Sequence, residues 1–241
     1  MSYDEKTINV KAVVFDYDDT LVEFKKFSLK GLEQVSKEIS KYVEEEGFPQ
    51  VSKDYVFKVL KEVADQMDSE GIYDRNRWWE QTLEVLGIKV KDLDVLTEWT
   101  NLYWSFASIN PPYDDAIESI EYIKNRGYKI GILTNSDGSG MDKRRRVNKF
   151  PMIKYIDYVL IAGEGGTEPK PHPRAFIEIC YFLGFNPREC LVVGNDPIKD
   201  CKGGKEAGMK TVLVDRAKAM RGFPNYVDYI ISDLRQLQDM L

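Results

Sequence analysis

Histidine is almost missing from this chain. His172 is the only one, which excludes a metal site built from several imidazoles. Cysteine is scarce as well: Cys180, Cys190 and Cys201 are all there is. They form no Cys-x-x-Cys pair, and an odd number of thiols suits a reducing compartment better than a disulfide framework. No apolar run approaches the roughly 20 residues of a membrane-spanning helix. Asp4, Glu5 and Lys6 come before any apolar run, so no signal peptide is expected. Positive charge is in deficit, with 34 Lys and Arg against 40 Asp and Glu and a net charge of −6. That balance argues against nucleic acid or an anionic membrane as a partner. Internal repeats and low-complexity tracts are absent from the sequence. The expectation is a cytoplasmic protein with no nucleic-acid or membrane partner, a monomer or a homodimer.

What is present is 241 residues, 43% of them hydrophobic and 31% charged, a globular composition that can bury one large core or two smaller ones. Helical periods fill residues 25–108 without a convincing strand. The first helix carries Leu32, Val35, Ile39 and Val43 on one side and ends at Gly47. The second starts after Ser52 with Val56, Val59, Leu60, Val63 and Met67. The third follows Asp74 with Trp78, Trp79, Leu83 and Leu86, and the fourth carries Leu93, Leu96, Trp99, Tyr103 and Phe106. Amphipathic helices with short links read as a small bundle. All four tryptophans, Trp104 included, fall in this segment and read as core, with one or two lining a substrate pocket as the alternative. Arg75 and Arg77 read as a solvated helix start, alternatively as contacts for an anionic substrate.

Pro111-Pro112 marks a boundary. Beyond it helices alternate with strands at 129–133, 158–161, 190–193 and 211–214, with an edge strand at 229–231 and a last helix. With Ala12–Phe15 as the first strand, the pattern predicts an α/β fold with a doubly wound parallel sheet. The helical bundle is then an insertion after the first strand. Residues 1–23 and 110–241 form the α/β core and residues 24–109 the helical domain. A helix is expected near Met141 to Phe150. Its basic run, Lys143 to Arg146, reads as an exposed helix face rather than a nucleic-acid patch.

The first strand stops in carboxylates: Asp16, Asp18 and Asp19. Anions this close are costly unless a cation or a reacting group offsets them, and ligands of an open parallel sheet bind beyond the carboxyl ends of its strands. The alternative is an Asp-rich turn in which Asp18 or Asp19 caps a helix. Other strand ends add Thr134 and Asn135, then Lys170 from the loop after the third strand, then Asn195, Asp196 and, a turn later, Asp200. Singly, these read as a strand exit, a loop lysine between two prolines, and helix caps. As a set they suit one chemistry. Carboxylates hold Mg²⁺, which prefers oxygen ligands and often binds a substrate phosphate too. Thr134 offers a hydroxyl and Lys170 a compact positive charge to phosphoryl oxygens. One carboxylate can attack, forming an acyl phosphate.

These residues, in this order, resemble the haloacid dehalogenase-like (HAD) hydrolase superfamily. The resemblance is carried by Phe15-Asp16-Tyr17-Asp18-Asp19-Thr20-Leu21, Leu133-Thr134-Asn135, Lys170-Pro171-His172-Pro173 and Val193-Gly194-Asn195-Asp196 through Asp200, and it covers about residues 11–215. It implies a Rossmann-like core with an all-helical cap inserted between the first two motifs. It implies Asp16 as the nucleophile and Asp18 as the group that protonates the leaving alcohol and then activates water. Thr134, with Asn135, and Lys170 would hold the phosphoryl group. Asp16, the backbone carbonyl of Asp18, and Asp196 or Asp200 would bind Mg²⁺. Asn195 stands where the family usually has Asp, which leaves open whether Asp196 or Asp200 touches the metal. His172, where Asp is frequent, reads as a cap of the helix opened by Pro173. The function so implied is a Mg²⁺-dependent phosphatase that hydrolyses a small phosphorylated metabolite through an aspartyl-phosphate. A phosphomutase on the same core is the runner-up. Asp18 argues against a 2-haloacid dehalogenase, which needs neither that proton donor nor a metal, and the intact set argues against a non-catalytic binding module. The sequence does not name the substrate.

Overall fold

The computed structural model describes residues 7–45, 47, 51–138, 141 and 143–241. The chain divides into two compact units. One holds the chain up to Glu23, Pro111–Ser136 and Arg146–Leu241, and the other holds Phe24–Asn110 and Asp137–Arg145.

The first unit is built on a six-stranded sheet in which every pairing is parallel. Its strands are β1 (Ala12–Phe15), β2 (Lys129–Asn135), β3 (Tyr158–Ala162), β4 (Cys190–Gly194), β5 (Lys210–Val214) and β6 (Tyr229–Ile231), in the spatial order β3-β2-β1-β4-β5-β6. This is the α/β, doubly wound arrangement that the alternation of strands and helices predicts. β1 reads as an unbroken apolar run because both its faces are covered. Val13 and Phe15 pack with Ile120 and Ile123 of α5 (Asp114–Asn125) on one side. Ala12 and Val14 pack with Phe176 and Ile179 of α7 (Pro173–Leu183) on the other. The chain lays β2 and β3 to one side of β1 and β4 to β6 to the other, so the strand order reverses between β1 and β4. Crevices for ligands open at such a reversal.

The expected helix after β2 is shorter than its pattern suggests. It is α6, Lys143–Val147, and the last helix is a 3₁₀ stretch, Leu234–Asp239. A wide π-type turn, Pro197–Lys202, precedes α8 (Gly203–Ala207). Among the described residues no helix is long and apolar enough to cross a membrane.

The second unit contains α1 (Lys25–Glu45), α2 (Lys53–Ser69), α3 (Arg75–Val85) and α4 (Asp94–Ala107). Ser52 caps α2 by accepting from the Tyr55 N–H, and Asp74 caps α3 by accepting from the Asn76 N–H, as short polar side chains do at helix starts. The apolar stripes meet in one cluster with all four tryptophans buried in it. Leu93 falls outside it, 68% exposed, because α4 begins one residue later. Arg75 corrects the expectation of a solvated helix start. It is buried, its guanidinium lies 3.8 Å from the Trp78 ring centroid, and it donates to the Tyr73 carbonyl. Arg77, two residues on, is exposed. Residues 137–145, which the sequence reading leaves in the α/β core, group with the helices. Met141 packs against their apolar cluster. Gly138, at φ +73°, lies so close to the Tyr73 backbone that a Cβ would come within 2.3 Å of it.

Candidate active site

The carboxyl end of β1 is where the charges gather. Asp16 follows the strand directly, and its N–H donates to the Val193 carbonyl of β4 at 2.9 Å. The chain then folds into a tight loop in which the Leu21 N–H donates to the Tyr17 carbonyl and the Asp19 N–H to the Val22 carbonyl. Asp19 takes a left-handed φ of +59°, which aspartate tolerates better than most side chains. Arg216 braces this loop from beyond β5: one amino group donates to the Thr20 carbonyl at 2.9 Å, while Asp115 grips the guanidinium at 2.7 and 3.1 Å.

Asp16, Lys170 and Asp200 meet. The Lys170 ammonium lies 2.7 Å from Asp16 Oδ1 and 2.6 Å from Asp200 Oδ1, and all three side chains are buried. Burial by itself would push the ammonium towards neutrality. The charges of Asp16 and Asp200 outweigh that and hold Lys170 above the ordinary lysine value. Burial holds Asp200 above the ordinary carboxylate range; Lys170 opposes the rise and Asp16 adds to it. Lys170 is fixed through its backbone, whose N–H donates to the Asn135 amide oxygen at 2.8 Å and whose carbonyl accepts from the Asn135 amide nitrogen at 3.2 Å. Thr134 is buried at the end of β2.

The two acids after β4 differ. Asp196 is turned to its own backbone, where Oδ1 accepts from the N–H groups of Ile198 and Lys199, both at 2.8 Å. Asp200 faces Asp16 and Lys170, and its other oxygen accepts from the Asp196 N–H at 3.0 Å. His172 caps α7 by accepting from the Arg174 N–H at 3.3 Å.

Asn195 lies with its amide against the loop after β1. One atom of its amide lies 3.2 Å from Thr20 Oγ1, 3.1 Å from the Asp18 carbonyl oxygen and 3.3 Å from Asp16 Oδ2. The single Thr20 hydroxyl proton is engaged by Asp16 Oδ2 at 3.0 Å. The neighbours of the Asn195 amide atom are all acceptors, so this atom is the amide nitrogen, a donor that ties Asn195 to the Asp16 carboxylate and the Asp18 backbone. Among the described residues no three His, Cys, Asp or Glu side chains form a metal cluster. The oxygen groups at this crevice that suit a hard cation are the carboxylates of Asp16 and Asp200 and the Asp18 carbonyl.

Asp18 does not join Asp16. Its carboxylate is held by Arg146, at 2.5 Å from one amino group and 3.2 Å from the other. The basic run of α6 is therefore not a uniform exposed face. Lys143 and Arg146, one helical turn apart, are buried and paired with Asp137 and Asp18, while Arg144 and Arg145 lie between them in sequence. Sequence reasoning gave Arg146, Arg216, Asp115 and Thr20 no part in the site. Only the i, i+3 spacing of Lys143 and Arg146 hinted that part of the run turns inward.

Comparisons with known proteins agree with this architecture. The family model described as haloacid dehalogenase-like hydrolase matches residues 10–208. The chain is 27% identical over 237 residues to a glyceraldehyde 3-phosphate phosphatase of Methanopyrus kandleri, covering 96% of this chain and 97% of that protein. It is 26% identical to an N-acylneuraminate-9-phosphatase of Rattus norvegicus, covering 86% of this chain and 84% of the other. Among solved structures, a HAD phosphatase from Thermococcus onnurineus is similar with a TM-score of 0.68 and 27% identity, over 95% of this chain and 96% of that one.

Proposed function

The chain belongs to the haloacid dehalogenase-like hydrolases, and from that premise we propose that it is a Mg²⁺-dependent phosphatase of small phosphorylated metabolites that works through an aspartyl-phosphate on Asp16. The observation that carries this reading is the meeting of Asp16, Lys170 and Asp200 at the β1/β4 crevice, with the Asp18 carbonyl and the Asn195 amide beside Asp16. The similarity to proteins named as phosphatases supports it further.

Asp16, the Asp18 carbonyl and Asp200 would hold the metal, with the Asn195 amide beside them, and Asp196 serves the turn after β4. When bound, Mg²⁺ supplies positive charge against the phosphoryl oxygens. Lys170 adds its ammonium and Thr134 its hydroxyl to the same oxygens. The Asp16 carboxylate attacks phosphorus, the ester P–O bond breaks, and Asp18 gives its proton to the departing alcohol. A water molecule then gives a proton to Asp18 as its oxygen attacks the aspartyl-phosphate. The Asp16–phosphorus bond breaks, inorganic phosphate leaves, and both aspartates return to their starting forms.

The test is phosphate release from a panel of small esters, with glyceraldehyde 3-phosphate and N-acylneuraminate 9-phosphate included, in Mg²⁺ and in EDTA. We expect release only with Mg²⁺, none from Asp16→Asn, and a phosphoenzyme trapped by acid quench in the wild type alone. Undiminished turnover in EDTA, or by folded Asp16→Asn, would refute the mechanism. Transfer of phosphate within a sugar phosphate, without net release, would make the chain a mutase.

A further inference from the structure

We propose that Arg146 is a positioning residue for the reaction: its guanidinium fixes the plane of the Asp18 carboxylate. This rests on the reading of Asp18 as the proton-transfer group. The pairing is two-pronged, with separate amino groups 2.5 and 3.2 Å from the two carboxylate oxygens. A fork of this kind sets orientation as well as charge, which a single ammonium cannot do. Burial is asymmetric. The Arg146 side chain is 2% exposed and the Asp18 side chain 19%, so the guanidinium sits in the protein and the carboxylate keeps an open side.

Arg146 is itself anchored to the residue before Asp18. The Tyr17 hydroxyl donates to the Arg146 backbone carbonyl at 3.3 Å, and the guanidinium carbon lies 5.8 Å from the Tyr17 ring centroid. The loop after β1 and the end of α6 are thereby joined at two successive residues. The need for such a grip is physical. Asp18 stands on a loop, and a carboxylate with free side-chain torsions spends little time within hydrogen-bond reach of a leaving oxygen. Lys143, one turn earlier in α6, pairs with Asp137.

The experiment is a double-mutant cycle. Steady-state kinetics with an alkyl phosphate and with p-nitrophenyl phosphate are measured for wild type, Arg146→Gln, Asp18→Asn and the double variant. Arg146→Lys is carried through both backgrounds, and it supplies the same comparison if Arg146→Gln does not fold. Circular dichroism and thermal melting report folding. We expect Arg146→Gln to lower kcat on the alkyl ester by about tenfold or more, up to the roughly 10²–10⁴-fold of a lost acid–base group, with KM little changed. Arg146→Lys should recover part of the loss, and p-nitrophenyl phosphate should suffer less because its leaving group needs little protonation. In the Asp18→Asn background neither Arg146 substitution should cost more, because the group being positioned is already gone. Equal losses in both backgrounds, or no loss in either, would overturn the role of Arg146 and leave Asp18 intact. Wild-type rates in Asp18→Asn would instead refute the reading of Asp18 and this inference with it.

Discussion

At Gly194 a single missing methyl group decides where a carboxylate can stand. A Cβ on this residue would come within 2.2 Å of Asp200 Oδ2 and 2.5 Å of Asp200 Cβ. The clash involves the root of the side chain and not only its tip, so Asp200 cannot rotate out of the way and keep its contact with Lys170. The backbone of Gly194 is otherwise ordinary strand, so the demand is steric and not conformational. We expect Gly194→Ala to fold with a stability loss of about 1–3 kcal/mol, as overpacked sites do. Its Mg²⁺ affinity and turnover should fall much further than stability alone explains. Calorimetric Mg²⁺ binding together with a thermal melt checks this; wild-type metal affinity in the variant would show that Asp200 is not needed where it stands.

Among the elements, the junction that feeds β2 has a charge-dependent fastening. Asp157, just before β3, accepts from the Ile130 N–H at 2.9 Å and from Lys124 and Lys129 at 2.6 and 2.8 Å. Burial pushes this carboxyl up, but the two lysines and the backbone donor outweigh it and hold it below the ordinary aspartate value. A carboxyl depressed by folding stabilises the native state at pH values above its unfolded pKa, near 3.9. That contribution is lost as pH falls through the folded value. Asp157→Asn is therefore expected to be less stable than wild type by about 1–2 kcal/mol at neutral pH, the order of hydrogen bonds to charged groups. The gap should close as acidity passes the aspartate range. Urea melts at neutral pH and at about pH 3 measure it, and a gap that persists in acid would mean that packing, not charge, holds the junction.

For the whole molecule the telling feature is that each unit has its own apolar interior. Trp79, Leu60 and Tyr103 lie in the helical one, and Phe15, Ile132 and Val193 in the α/β one. A unit with its own core should fold without the other, and sites that vary on a shared fold are where substrate preference resides. We expect replacement of residues 24–109 by a short linker, combined with Met141→Gln to remove an apolar side chain that packs with the helices, to leave a folded core that still binds Mg²⁺. Its discrimination among phosphate esters should weaken. Calorimetry and the ratio of kcat/KM for two metabolite esters test this, and an unaltered ratio in a soluble, metal-binding core would assign specificity to the α/β unit.

Much of this architecture can be read from local pattern, because local pattern records which side of an element is buried. The apolar run of β1 announces a strand covered on both faces, the stripes of α1 and α2 announce a bundle, and Ser52, Asp74 and Pro173 mark helix starts through their own bonding capacity. The order of acids, threonine and lysine at the strand ends is legible for the same reason, since a parallel sheet delivers its strand ends to one edge. Which of those groups touch is not a local property. Asp196 and Asp200 look alike in the sequence; the π-type turn between them directs one to the backbone and the other to Lys170. Arg75 and Arg77 read alike, yet one packs among aromatic rings and the other is exposed. The pairing of Arg146 with Asp18 joins positions 128 apart in the chain. No period or spacing records such a contact, because it exists only once the packing of the sheet and helices has brought the two side chains together and removed the water that would otherwise solvate each of them.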